Sequence, residues 1–188
     1  TDYAACTAII TNTSAEVLGC SGNAASVETA LRANGAEQIT LLHVQPDEKS
    51  IRCAEKLAPL FEVKQILVPD TVYYPAENAA FYDFSYVGVL PSGSFTVMDG
   101  GETVTFTVNG TEIHLETKRS TSLSHDTDIL VTEKPQNAVS APFTILKTNG
   151  IIEDTEASLS PGAYLFMTEH ESIRLDFDER GTYTVYGG

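Results

Sequence analysis

The sequence predicts an α/β fold built on mixed sheets, and three observations carry that prediction. Between residues 7 and 68, short apolar runs alternate with helix-patterned segments, so that strand, helix and strand follow one another twice. From residue 94 onward the pattern becomes a succession of short β-type runs separated by turn residues. One joint in that half, Asn109-Gly110, has the composition of a two-residue hairpin turn.

Each element follows from its residues. Residues 7–11 and 16–19 read as strands on either side of the polar turn Asn12-Thr13-Ser14, and 24–33 reads as a helix stopped by Asn34-Gly35. Residues 39–44 form the next strand. Residues 48–60 carry Ile51, Ala54, Leu57, Ala58 and Phe61 at the spacing of one helix face, and 65–68 closes the second β-α-β step. Consecutive steps of this kind imply parallel neighbours in one sheet. Residues 75–85 read as a short aromatic-rich helix. The remaining expected strands are 94–98, 103–108, 112–117, 128–132, 143–147, 164–167, 173–177 and 183–186, with no internal repeat and no low-complexity linker.

A chain of 188 residues with 42% hydrophobic content can bury one sizeable core, so a single domain over residues 1–188 is expected. Thr1 in place of Met reads as the start of a piece of a longer chain. No run reaches the roughly 18 apolar residues that a spanning helix needs, which predicts a soluble fragment without membrane insertion. The net charge of −15 arises from acids spread along the chain, and the longest basic run is Lys118-Arg119. A phosphate-backbone binder needs clustered cations, so direct nucleic-acid binding is disfavoured.

Cys6, Cys20 and Cys53 are an odd set with no CxxC spacing, which excludes a zinc ribbon or a thioredoxin-type motif. The expectation is three buried, reduced thiols. His43, His114, His125 and His170 never fall close together, so each reads as a surface residue of a strand or loop rather than as a zinc ligand. Asp176-Phe177-Asp178-Glu179-Arg180-Gly181 begins like a calcium loop. Arg180 stands where an oxygen donor belongs and Gly187 where the closing carboxylate belongs, so a hairpin turn is expected. Gly19-Cys20-Ser21-Gly22 lacks the glycine spacing of a nucleophile elbow and reads as the turn that launches the first helix.

The segment LLHVQPDEKS stands at the junction of strand and helix, where α/β enzymes hold their chemistry. The block ALRANGAEQITLLHVQPDEKSIRCAEKLAPLFEVKQILVP resembles the metallo-β-lactamase-like domain at the C-terminus of ComEC-type competence membrane proteins. TAIITNTSAEVLGCSGNAASV resembles that family's opening hairpin, and YLFMTEHESIRLDFDERGTYTV its closing Arg-Thr, Gly-x-Ile and hairpin pattern. The likeness lies in the order of elements more than in identical residues. It implies an αββα sandwich, four layers with mixed sheets, in truncated and degenerate form.

The resemblance also implies where a metal site would stand, and the ligands are missing from it. Aligned on Pro46-Asp47, the family's first histidine falls on Gln45, its aspartates on Asp47 and Lys49, and its last histidine on Ser50. Cys20 stands near the early aspartate, and Glu133-Lys134 replace part of the downstream histidine turn. Metal affinity falls steeply as ligands are lost, so no metal, no cofactor and no catalytic residue are expected. Lys49 is expected to fill the vacated position by pairing with Asp47 or a nearby acid.

Three functions compete at this level. The first is a non-catalytic domain on the extracytoplasmic face of a bacterial membrane, serving DNA uptake structurally or through a partner, with the rest of its own membrane protein or the competence machinery as partner. The second is a metal-dependent hydrolase or nuclease rebuilt around Asp47, His43 and two other histidines. The third is an extracytoplasmic binding module that presents Tyr73, Tyr74, Phe81 and Tyr82, with Phe84 and Tyr86 nearby.

Overall fold

The computed structural model describes residues 5–90, 93–101, 103–116, 127–132, 141–147, 163–167 and 173–187. The fold is mixed α/β with mixed sheets and two α-helices among the described residues. It divides into two compact units, residues 1–86 with 97–101 and residues 87–96 with 102–188. No helix among the described residues is long and apolar enough to cross a membrane.

In the first unit, β1 (Ala5–Thr11) and β2 (Ser14–Ser21) form an antiparallel hairpin. α1 (Ala24–Ala33), β3 (Gln38–His43), α2 (Glu48–Leu57) and β4 (Glu62–Pro69) then complete two crossovers, with β2, β3 and β4 parallel neighbours. Asn23 caps α1 by accepting a hydrogen bond from the Ala25 N–H, and α1 stops at Asn34, as the sequence predicts. The expected helix over 48–60 is shorter as an α-helix. It tightens into a 3₁₀ turn over Ala58–Leu60, because Pro59 lacks the N–H that an α-helix would use there.

The expected helix over 75–85 is a strand, β5 (Ala79–Tyr82), parallel to β4 at the edge of a five-stranded sheet ordered β1-β2-β3-β4-β5. The outer edge of β4 offers backbone groups that need partners, and the Ile66 N–H donates to Asn78 O while the Asp70 N–H donates to Tyr82 O. That pairing overrides the helical tendency of Ala79-Ala80 and suits the aromatic pair that follows.

One core fills the helix side of this sheet. Val17, Ile39, Leu42, Val44, Ile66 and Val68 meet Val27 and Leu31 of α1 and Cys53, Ala54 and Leu57 of α2. The alternate side chains Leu18, Leu41, His43 and Leu67 are also buried, so both faces of the central strands are covered.

A seven-stranded sheet holds most strands of the second unit. It comprises β6 (Tyr86–Leu90), which the sequence reading does not anticipate, β7 (Gly93–Met98), β8 (Thr103–Val108), β9 (Thr111–Glu116), β10 (Ile129–Thr132), β11 (Phe143–Lys147) and β12 (Ala163–Met167). The strand order is β12-β11-β10-β9-β8-β7-β6, with β9 to β12 parallel and β8–β9 antiparallel. Asn109 and Gly110 both have positive φ, 49° and 84°, the conformation that a type I′ hairpin turn demands. β13 (Ile173–Phe177) and β14 (Tyr183–Gly187) make a separate hairpin. Its turn is held by Asp178 Oδ1, which accepts from the Arg180 and Thr182 N–H groups, the expected hairpin turn.

Candidate functional site

All the described residues of the candidate site belong to the first unit, at the carboxyl ends of β2 to β5. Asp47 is the N-cap of α2, with extended backbone (φ −136°, ψ 151°), and its Oδ1 accepts from the Lys49 and Ser50 N–H groups at 3.0 Å each. Ser50 is buried, and its Oγ accepts the Gln45 N–H at 2.9 Å. The Asp47 N–H donates to Gln45 O at 2.8 Å. The residues after β3 thus satisfy one another's backbone groups in a closed circuit.

Gln45 is buried, and its side chain lies against Gly19, which has a φ of 65°. A Cβ at position 19 would stand 3.0 Å from Gln45 Nε2, so the absence of a side chain there lets the amide fold inward. Lys49 is exposed on the first turn of α2. Glu133 and Lys134 lie outside the described residues, as do His125, His170, Lys118 and Arg119.

The expectation of three reduced thiols is overturned by a disulfide between Cys20 and Cys53. It joins the end of β2 to α2, and both residues are fully buried. An odd cysteine count hides such a pair, because no spacing rule links a strand end to a helix 33 residues later. Cys6, on β1, stands outside the disulfide.

The expectation of surface histidines fails for the two that are described. His43 and His114 are both fully buried. On β3, His43 Nε2 is 2.9 Å from the Tyr82 hydroxyl. Burial lowers its pKa from 6.5 to about 4, and burial likewise pushes the Tyr82 phenol up. The pair is therefore neutral at physiological pH. Tyr82 is seated by Gly101, whose φ is 105°. A Cβ there would fall 2.4 Å from the tyrosine hydroxyl and 3.2 Å from Pro46 Cδ. His114, on β9 in the second unit, has its Nδ1 3.0 Å from Thr105 Oγ1.

These residues do not fit a zinc-type ion. Asp47 Oδ1 is committed to capping, Cys20 to a disulfide and His43 Nε2 to Tyr82. Gln45 carries a neutral amide in place of the histidine or carboxylate that binds zinc strongly, and its buried Nε2, which has no hydrogen-bond partner, is a donor. Among the described residues, no group of three or more His, Cys, Asp or Glu could hold a metal.

The aromatic surface divides. Tyr73 and Phe81 are exposed, at 87% and 53%, and so is Phe84, whereas Tyr74 and Tyr82 are buried in the core. The expected face therefore keeps only half of its members. The His43–Tyr82 pair and the seat at Gly101 escape sequence reasoning, since their residues are far apart in the chain and their types are common in cores. No protein-family model matches the chain, and no curated protein matches it.

Proposed function

We propose that this chain is a non-catalytic, metallo-β-lactamase-like domain of a ComEC-type DNA-uptake membrane protein, held on the extracytoplasmic face as a scaffold or partner-binding surface. One observation carries the non-catalytic part of this reading: four positions where the resemblance calls for ligands hold structural jobs instead. Gln45 packs on Gly19, Asp47 caps α2, Ser50 accepts the Gln45 N–H and Cys20 is disulfide-bonded. The capping bonds on Asp47 Oδ1, the Gln45 N–H on Ser50 Oγ and the cross-link at Cys20 take up groups that a dication would need.

The ancestry is supported by the order of elements. An opening hairpin, α1, the Gly35 link, β3, the loop, α2 with its turn at Phe61, and β4 ending at Pro69 follow in the sequence that the family resemblance implies. The closing hairpin of β13 and β14 agrees as well. An αββα sandwich is the architecture this reading requires. The outer location is supported by the disulfide, because such bonds persist in oxidising compartments and are rare in the cytosol. A partner role is supported by the exposure of Tyr73, Phe81 and Phe84.

The location is tested by alkylating intact cells before lysis and separating the chain without reductant. An oxidised Cys20–Cys53 pair is expected, and a fully alkylated pair would contradict an outer location. Catalysis is tested by incubating the purified chain with single-stranded DNA and manganese or zinc. Cleavage that disappears in Asp47→Ala would restore the enzyme reading.

A further inference from the structure

The three cysteines converge on one core. Cys20 and Cys53 belong to the cluster on the helix side of the five-stranded sheet, and Cys6 packs against that cluster together with Ala8 and Ile10. Residues 6, 8 and 10 alternate onto one face of β1, so the Cys6 side chain points to the side where the disulfide lies.

The register of the opening hairpin sets Cys6 beside Cys20. Thr7 pairs with Leu18 and Ala5 with Ser21, so Gly19 and Cys20 on β2 together face the single residue Cys6 on β1. This is a β-bulge with a glycine at positive φ, 65° at Gly19, and of the two facing residues only Cys20 carries a side chain. Facing residues of an antiparallel pair have Cα atoms about 4.5–5.5 Å apart, within the roughly 4.4–6.8 Å that a disulfide spans. Access differs among the three sulfurs. Cys20 and Cys53 are fully buried, whereas Cys6 is partly exposed, and exchange with a dissolved thiol requires access to the sulfur attacked.

We infer that Cys6 is the relay through which the buried Cys20–Cys53 disulfide is opened. The Cys6 thiolate attacks Cys20 Sγ and forms a Cys6–Cys20 bond. The Cys20–Cys53 bond breaks with its electron pair on Cys53 Sγ, which takes up a proton. This exchange involves no net oxidation, and it moves the cross-link from β2–α2 to β1–β2. An external dithiol then attacks Cys6 Sγ, the partly exposed end of the new bond, and Cys20 leaves as a thiol. The second sulfur of the dithiol displaces Cys6, so two electrons have passed to the protein and the dithiol departs as a cyclic disulfide. The clasp between the end of β2 and α2 thereby answers to thiols outside the fold.

The test follows reduction of the native chain and of Cys6→Ser by dithiothreitol without denaturant, with samples alkylated at intervals and cross-links mapped by mass spectrometry of unreduced peptides. Cys6→Ser changes a partly exposed residue and retains both disulfide partners. Opening is expected to be about tenfold or more slower in Cys6→Ser, because a neighbouring thiol attacks at a far higher effective concentration than one in solution. Cys53→Ser, treated with glutathione disulfide, is expected to form a Cys6–Cys20 cross-link. Equal rates in the native chain and Cys6→Ser would overturn the inference. So would a Cys6–Cys53 cross-link during reduction of the native chain, or Cys6 and Cys20 remaining unjoined in Cys53→Ser.

Discussion

Reducing the Cys20–Cys53 disulfide in the otherwise unchanged chain isolates a cross-link from a cavity, because both sulfurs stay in the core. The bridge closes a loop with a sequence separation of 33. In the chain-entropy description, releasing a loop of that length frees the unfolded chain by about 3.7 kcal/mol at 25 °C. For a chain of this size each kcal/mol moves the melting midpoint by roughly 2–4 °C, so reduction is expected to lower it by about 7–15 °C. The assay is thermal unfolding followed by circular dichroism, with and without a phosphine reductant. It is paired with a thiol count in denaturant, where one thiol, that of Cys6, is expected before reduction and three after. Three thiols before reduction, or an unmoved midpoint after it, would refute the claim that this bond clasps the end of β2 to α2.

Three further outcomes follow from the same site. His43 stays neutral in the folded chain down to about pH 4, whereas in the unfolded chain it takes up a proton below its ordinary 6.5. Its contribution to stability is therefore complete above pH 6.5 and is lost as the pH falls toward 4. At pH 5 the loss is about 2 kcal/mol, and urea midpoints at pH 7 and pH 5 should lie closer together in His43→Gln than in the native chain. Asp47→Ala leaves two helix N–H groups without their acceptor and is expected to cost about 1 kcal/mol, measured by urea unfolding. Gly101→Ala drives a methyl group into the Tyr82 hydroxyl at a φ of 105° and is expected to cost about 1–3 kcal/mol by the same measurement.

Much of the first unit is legible in the sequence because its signals are local. Asn34-Gly35 ends α1 where it must end, the apolar spacing from Ile51 to Leu57 sets the buried face of α2, and Asn109-Gly110 fixes a hairpin in the second unit. The failures have non-local causes. β5 exists because β4 has an edge to pair, and β6 likewise takes its place in a sheet that short stretches of sequence do not announce. The disulfide joins residues that meet only once β2 and α2 are packed.

At the candidate site, the absence of histidine and carboxylate side chains at Gln45, Lys49 and Ser50 is plain in the sequence. The signal that Asp47 is a helix cap is also present, since an aspartate directly before a helical pattern is a standard N-cap. What cannot be read from sequence is that Gln45 turns inward against Gly19, or that His43 finds Tyr82 across the sheet. Both depend on the glycines at 19 and 101 and on β5 being a strand.

The central claim is that the loop from Gln45 to Ser50 is a packed helix cap and holds no zinc-type ion. The direct measurement is elemental analysis of the native chain and of Asp47→Ala after incubation with excess zinc or manganese and desalting. Far less than one equivalent of either metal is expected in both proteins. One equivalent or more in the native chain, lost on Asp47→Ala, would contradict it.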